Sequence, residues 1–294
     1  MIIGLLAVAA AATCMGLMPT FQKQVLLDGL PMNSLMVYTN GIISLVSLAM
    51  ALLKKRSLKA TPIQFIQSVL MGTMGMLVTA LLLNTAYLYL PVGMAIMLNF
   101  LYPSVVCIVM GTVFKQGFTK LQFGAIVCSI LGMIFLAGKG GDVNVLGIVC
   151  ALVSAFTYGG YLIANEKGPA NDLPIETKLF YVSLPGTVLF GILAPATGTL
   201  AAPAEPSGWL YVLASGLFTV GGYFLMMYGI SLLGASTSSF VSMLEPIVSV
   251  VFGTIWFGDP VTIGVAAGGV LVLCSILLIA IDGSKKAKAA ETKG

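Results

Sequence analysis

Residues 235–257 read ASTSSFVSMLEPIVSVVFGTIWF, and Glu245 is the one charged residue among them. A helix needs about 20 mainly apolar residues to cross the hydrocarbon core of a bilayer, so this stretch predicts a transmembrane helix. Pro246 directly follows the acid. An ionisable side chain beside a proline in the middle of a membrane span requires an explanation in terms of structure or function.

The rest of the chain has the same composition. Of 294 residues, 59% are hydrophobic and 8% are charged, with a mean hydropathy of +1.05, whereas ordinary soluble domains carry about 25% charged residues. A soluble globular fold is excluded, and so is a disordered chain, which would be rich in charge. Long continuous apolar runs favour helices over the short alternating strands of a membrane barrel.

The sequence predicts an all-α membrane protein with ten transmembrane helices. The corresponding nearly uncharged stretches are 2–21, 32–53, 62–83, 92–114, 118–137, 145–164, 179–196, 209–230, 235–257 and 261–281.

The basic residues predict the orientation of these helices. With the N-terminus in the cytoplasm, Lys23 and Lys139 alone of the 14 Lys and Arg residues lie on the outer side. Basic residues accumulate in short cytoplasmic loops, so we expect a multi-pass protein of the cell membrane with both termini in the cytoplasm. Residues 283–294 form a basic cytoplasmic tail. No nucleic-acid partner is expected, because the basic residues lie at helix ends without interleaved aromatics.

One offset of 143 residues recurs along the chain and predicts an internal repeat. The matching pairs include Gly16/Gly159, Pro31/Pro174 and Pro103/Pro246. Residues 1–138 and 144–282 are predicted to be two five-helix repeats. Since five is odd, the second repeat enters the membrane from the opposite side. Transporters with inverted repeats place their substrate sites near the midplane between the two halves.

These features resemble the EamA-type permeases of the drug/metabolite transporter superfamily. The resemblance covers residues 1–282 and depends on the fourth helix of each repeat, built as Leu90-Pro91 through Tyr102-Pro103 and as Leu233-Gly234 through Glu245-Pro246. It implies a ten-helix carrier with a central cavity, alternating access, and the fifth and tenth helices outside. Three positions depart from the family pattern. Met15-Gly16 and Tyr158-Gly159 stand where Trp before Gly is frequent, and Lys115-Gln116 stands where an acidic ending is common.

Glu245 is the first candidate functional residue. It lies ten residues from Ala235, which at about 1.5 Å per residue is about 15 Å, the bilayer midplane. An ionisable group there costs at least about 2.5 kcal/mol and is by default a functional hypothesis. Burial favours the protonated carboxyl, so proton coupling is expected. The alternative is a structural Glu that stabilises the kink at Pro246.

The two prolines predict two broken helices. Pro246 releases the carbonyl of Ser242, and Pro103 releases that of Asn99. The helical period places polar side chains on one face at each break, and we interpret them as substrate-binding: Ser238, Ser242 and Glu245 in the ninth helix, with Asn99 and Tyr102 in the fourth.

Three further candidate substrate contacts are Tyr158, Tyr223 and Asn84, in the sixth, eighth and third helices. A tyrosine stripe at helical spacing is more often packing, with hydroxyls bonded across helices, so both interpretations of these tyrosines stay open.

The residues that are absent constrain the function. The chain contains no His, and no Lys or Arg lies within the apolar span of the predicted cavity helices. An enzyme, a metal site, a cofactor and phosphorylated substrates are therefore not expected. The prediction is a secondary transporter that exports small organic metabolites such as amino acids or amines, with Glu245 as the proton and amine site.

Two alternative functions and the oligomeric state remain to be considered. The first is an uptake carrier or facilitator for a quaternary amine such as choline, held by Glu245 and tyrosine faces. A passive channel is disfavoured, since no ring of charges or filter motif repeats. Gly264 and Gly268 form a GxxxG pattern, which leaves a monomer or a weak homodimer.

Overall fold

The computed structural model describes residues 1–90, 95, 98–136, 144–257 and 263–291. Throughout these ranges the regular structure is helical. The α-helices are α1 Ile2–Leu27, α2 Met32–Leu53, α3 Pro62–Leu70, α4 Thr79–Tyr89, α5 Tyr102–Thr112, α6 Lys120–Leu136, α7 Val145–Lys167, α8 Ile175–Ala196, α9 Pro206–Val241, α10 Leu244–Phe257 and α11 Ile263–Glu291. A π-helix spans Met71–Val78 and a 3₁₀ turn spans Pro169–Asp172.

The helices have the length and composition of membrane spans. Six described segments are long and apolar enough to cross a bilayer, and four shorter apolar helices accompany them, namely Tyr102–Thr112, Lys120–Gly132, Leu244–Trp256 and Ala266–Asp282. The predicted all-helical, multi-pass class is confirmed. The number ten and the opposite insertion of the repeats stay predictions.

The third apolar stretch differs from a regular helix. Thr61 and Gln64 form a capping box at the start of α3, and the helix then widens to a π-helix before α4. Gly72 and Gly75 provide the room for this wider segment to approach its neighbours, since a side chain on Gly72 would meet the backbone of Val182 and one on Gly75 would meet Tyr161. Wide turns of this kind are frequent at functional sites.

The eighth and ninth stretches, predicted as separate helices, are joined. The hydrogen-bonded run α9 passes through Gly234, whose φ of 79° and ψ of 164° are not helical. Glycine alone adopts this region readily. The chain therefore turns sharply at Gly234, and residues 235–241 form the first part of the ninth stretch before it resumes as α10.

Equivalent helices of the two repeats pack in equivalent ways. Helix α1 packs on α9 and α10, whereas α7 packs on α4, the π-helix and α5. A Cβ on Gly16 would lie 2.7 Å from the carbonyl oxygen of Glu245, and one on Gly159 would lie 3.6 Å from that of Tyr102. Each glycine belongs to one repeat and contacts the broken helix of the other.

Helices α2 and α8 run antiparallel along each other. The Lys54 ammonium, just after α2, lies 2.9 Å from the Glu176 carboxylate in the first turn of α8. At the opposite end, Ser34 donates to the carbonyl of Thr199, which follows α8. Hydroxyls of Ser44 and Ser183 join the two helices between these ends, 2.7 Å apart.

Helices α6 and α11 pack chiefly on each other. A Cβ on Gly132 would lie 3.0 Å from the carbonyl oxygen of Gly268. This face of α11, which includes one glycine of the GxxxG pattern, is therefore used within the chain.

Candidate functional site: two helix breaks and a tyrosine cluster

The two prolines lie where a helix restarts after a break. Residues 98 and 99 are helical, Phe100 and Leu101 form a turn, and α5 begins at Tyr102. In the ninth stretch, residues 242 and 243 form the turn and α10 begins at Leu244. Pro103 and Pro246 thus occupy the first turn of a helix, where the missing N–H is not needed.

The carbonyl released by Pro246 finds a substitute donor. The N–H of Glu245 donates to the Ser242 carbonyl over 3.0 Å. This tight turn fixes the backbone of Glu245 at the second break.

A hydrogen bond joins the two breaks across the repeats. The hydroxyls of Tyr102 and Ser242 lie 2.6 Å apart. Ser242 donates its proton to the Ser239 carbonyl over 2.9 Å, so the phenol of Tyr102 is the donor of the interhelical bond. Tyr102 is 1% exposed. The first residue of α5 is therefore tied to the first residue of the turn at the second break.

Glu245 lies half-buried beside this bond. Its carboxyl interacts electrostatically with Tyr102, Tyr158 and Tyr223. Within the described parts of the chain, no side chain or backbone group donates a hydrogen bond to this carboxyl, and no cation pairs with it. An acid held at mid-span without a protein partner is able to accept an external cation or a proton.

Four tyrosines form a continuous aromatic row, which we call the tyrosine cluster: Tyr102, Tyr158, Tyr161 and Tyr223. The Tyr102 and Tyr158 rings meet edge to face at 4.7 Å, Tyr158 and Tyr161 stack at 5.8 Å, and Tyr161 meets Tyr223 edge to face at 6.2 Å. Tyr158 and Tyr223 are half-buried, as Glu245 is, whereas Tyr161 is buried. The cluster brings together α5, α7 and α9 beside the acid.

The structure groups some predicted site residues and separates others. Tyr102, Ser242, Tyr158 and Tyr223 surround or adjoin Glu245, as described above. The amide of Asn99 instead donates to the Ser154 hydroxyl on α7 over 2.8 Å, which is helix packing. Ser238 is fully buried, and its hydroxyl finds no partner within the described part of the chain. The side chain of Asn84 lies outside the described residues.

Glu166, which sequence reasoning did not single out, holds the start of the ninth stretch. Its carboxylate accepts the N–H of Ala235 at 2.5 Å and the amide of Gln116 at 3.2 Å, and Lys167 lies 2.7 Å away. The positive φ of Gly234 turns the chain so that Ala235 meets this carboxylate. We call this arrangement the Glu166 clamp. The glycine of Leu233-Gly234 is a sequence signal for a turn. No residue near Glu166 in the sequence indicated that Glu166 bonds to Ala235.

Lys178 was counted among the basic residues of the cytoplasmic side, yet it is only 3% exposed in the first turn of α8. It follows Thr177, which donates to the Ser57 carbonyl over 2.9 Å and ties α8 to the loop after α2. Burial of a lysine at a helix end allows its long stem to pack while the ammonium reaches the nearest polar surface.

Apolar helices in two equivalent halves, with two helix breaks beside Glu245, define a multi-pass membrane protein. The model of the EamA-like transporter family matches residues 2–138 and 145–281, so the chain belongs to this family. The family is one of transporters, and the relatives that match are named as transporters and not as enzymes.

Relatives carry the same description. An uncharacterized transporter of Synechocystis sp. is 26% identical over 67% of this chain, and the match spans 61% of that protein, less than two thirds of its length. The uncharacterized transporter YdfC of Bacillus subtilis is 25% identical over 74% of this chain and 72% of its own. A protein of known crystal structure matches 96% of this chain and 98% of its own, with a TM-score of 0.79 and 16% identity, which shows the fold alone.

Proposed function

We propose that this transporter exports small organic amines or amino acids by alternating access, with Glu245 as the shared site for the substrate ammonium and a proton. The observation that carries the proposal is the half-buried, unpaired carboxyl of Glu245 at a helix break, within the described part of the chain. Tyrosine faces beside it suit a cation, because the face of an aromatic ring attracts positive charge.

The proposed exchange involves one carboxyl and two competing cations. A substrate ammonium binds the Glu245 carboxylate on one side of the membrane. On the other side, a proton that adds to the same carboxylate removes its charge and releases the amine. Because the two cations exclude each other, outward movement of substrate is coupled to inward movement of a proton.

Contacts between the two repeats at both ends of the bundle, which we call seams, support alternating access. At one end, the Lys54–Glu176 ion pair joins the repeats, and the phenol of Tyr181 donates to the carbonyl of Leu58. At the other end, the Tyr38 phenol donates to the Ala201 carbonyl over 2.9 Å. Opening one seam while the other stays closed would expose Glu245 to one side at a time.

The first test is ligand-dependent thermal stability of the purified protein with a panel of amines and amino acids. A charge-assisted hydrogen bond contributes about 1.5–3 kcal/mol, so we expect Glu245→Gln to weaken binding of stabilising ligands by about tenfold or more. Glu205→Gln, at an exposed helix start, is the matched control and keeps wild-type binding. Equal ligand stabilisation of Glu245→Gln and wild type would refute the role of the carboxyl.

A second candidate function is uptake of a quaternary amine such as choline. The edge-to-face contact of Tyr102 and Tyr158 next to Glu245 favours it, since two angled rings and an acid resemble part of an aromatic cage. Flux into proteoliposomes separates the two functions. Uptake of choline that is independent of a pH gradient supports the second, whereas amine flux driven by the gradient supports the first.

A further inference from the structure

A groove of about 480 Å³ lies between α5 and α7, away from the tyrosine cluster. Its walls are apolar and include Val105 and Val109 on α5 with Phe156 and Ile163 on α7. Lys167 forms part of one end.

The groove opens outward. Phe156 is 60% exposed, and a Cβ on Gly160, in the floor of the groove, would meet nothing within 4 Å. An exposed apolar surface on a membrane-spanning helix faces lipid chains. Gly160 thus leaves space open on the lipid-facing surface between Phe156 and Lys167.

The length of the groove matches one leaflet. Phe156 and Lys167 are separated by eleven residues of helix, which at about 1.5 Å per residue is about 16 Å. Half of a hydrocarbon core of about 30 Å is about 15 Å. An acyl chain that lies along α7 from the midplane would place its headgroup beside Lys167.

The end of the groove carries positive charge. The Lys167 side chain is 34% exposed, and its ammonium lies 2.7 Å from a Glu166 oxygen and 5.8 Å above the ring of Phe114. The same Glu166 carboxylate already accepts two hydrogen bonds from Ala235 and Gln116. An ammonium carries three N–H donors, and the contact with Glu166 uses one of them, so Lys167 retains donors for a second anion at the headgroup level.

We propose that this groove binds an anionic phospholipid, with one acyl chain along Gly160 and the headgroup phosphate on Lys167. The bound phosphate shares Lys167 with the Glu166 clamp, so the lipid stabilises the end of α7 against the start of the ninth stretch. This site is separate from the proposed substrate site and does not depend on it.

The test measures the melting temperature of delipidated protein in nonionic detergent against added phosphatidylglycerol or phosphatidylcholine with the same chains. One Lys near an anionic lipid contributes about 1 kcal/mol, so half-maximal stabilisation by phosphatidylglycerol is expected at about fivefold lower concentration than by phosphatidylcholine. We expect Lys167→Gln to remove this fivefold preference and Gly160→Leu to abolish stabilisation by both lipids.

Two matched controls accompany these variants. Lys120→Gln removes an exposed cation at the start of α6, and Gly191→Leu adds bulk at an exposed glycine of α8 with open space around it. Both are expected to keep the wild-type lipid response. Inorganic phosphate is expected to give no shift.

The proposal is overturned if both lipids stabilise the wild type equally, if Lys167→Gln keeps the preference, or if inorganic phosphate reproduces the effect. Should Gly160→Leu fail to fold, native mass spectrometry of wild type and Lys167→Gln decides the matter. The site is supported if phosphatidylglycerol stays bound to the wild type but not to Lys167→Gln. It is contradicted if the two proteins retain the lipid equally.

Discussion

At the residue scale, the contact between Tyr102 and Ser242 is the bond on which the geometry around Glu245 depends. It joins residues 140 positions apart, and the Tyr102 phenol that makes it is buried. Glu245 follows Ser242 by three residues, and its backbone N–H donates to the Ser242 carbonyl within the same turn. Loss of the interhelical bond should therefore loosen the acid as well as the helices.

We expect Tyr102→Phe to lower the melting temperature by a few degrees, since one buried hydrogen bond contributes about 1 kcal/mol. Ser242→Ala should lower the melting temperature by a similar amount. The double variant should lower it by less than the sum of the two single effects, because both substitutions remove the same hydrogen bond. Tyr228→Phe, at an exposed tyrosine of α9, serves as control and keeps the wild-type temperature. Strictly additive effects in this double-mutant cycle would show that the two side chains act independently.

The sequence was sufficient to find the ionisable residue but not all of its neighbours. Glu245 stood out because it is the one charge in the middle of a membrane-length stretch, and Tyr102 and Ser242 followed from the repeat and the helical period. Asn99 shared those signals, yet the structure pairs it with Ser154. The hydrogen-bond partner of a polar side chain depends on the orientation of its helix relative to the neighbouring helices. The residue spacing within one helix does not determine that orientation.

At the element scale, Gly234 sets the angle between the eighth and ninth stretches. Its φ of 79° and ψ of 164° are accessible to glycine at little cost. A Cβ there would also lie 3.0 Å from the Glu166 carboxylate. We expect Gly234→Ala to destabilise the protein by about 1–3 kcal/mol.

Gly41→Ala is the matched control for that variant. Gly41 lies inside α2 with open space around it, so alanine there should stabilise the helix by about 1 kcal/mol. In chemical denaturation, we expect the free energy of unfolding to fall in Gly234→Ala and to rise in Gly41→Ala. A Gly234→Ala protein as stable as wild type would show that the positive φ is not required.

The Glu166 clamp makes a separate prediction for the same element. Glu166→Ala removes the acceptor of the Ala235 N–H, and a hydrogen bond to a charged group contributes about 1.5–3 kcal/mol. Amide hydrogen exchange over residues 235–241 should therefore become about tenfold to a hundredfold faster. Glu205→Ala should leave this exchange unchanged, and an unchanged rate in Glu166→Ala itself would contradict the clamp.

The sequence was sufficient to predict where the membrane-length helices lie, but not their irregularities. The apolar stretches located the helices because length and composition suffice for a membrane span. The π-helix at Met71–Val78 and the joining of two stretches into α9 were not predicted. The π-helix passes close to its neighbours at Gly72 and Gly75, and the joining depends on the positive φ of Gly234. Glycine in a regular helix gives the same local signal in the sequence.

At the scale of the whole molecule, the repeat predicts opposite insertion of its two halves. The antiparallel course of α2 and α8, which are equivalent in the 143-residue offset, is the arrangement that such insertion requires. The distribution of Lys and Arg predicts which end faces the cytoplasm. The loop after α2 and the loop after α8 should therefore lie on opposite sides of the membrane.

Cysteine labelling in cells tests this topology. In a chain whose five native cysteines are replaced by alanine, we expect Lys55→Cys to react only with reagents that enter the cytoplasm. Gly198→Cys, in an exposed turn after α8, should react with impermeant reagents added outside. Labelling of both positions from the same side would refute the predicted inversion.

The central claim is that cargo crosses at Glu245, between the two breaks. Flux of a stabilising amine in proteoliposomes, driven by a pH gradient, tests it most directly when wild type, Glu245→Gln and Glu205→Gln are compared at equal amounts of folded protein. We expect gradient-driven flux in wild type and Glu205→Gln, and flux reduced to that of empty liposomes in Glu245→Gln. Wild-type flux in Glu245→Gln would contradict it.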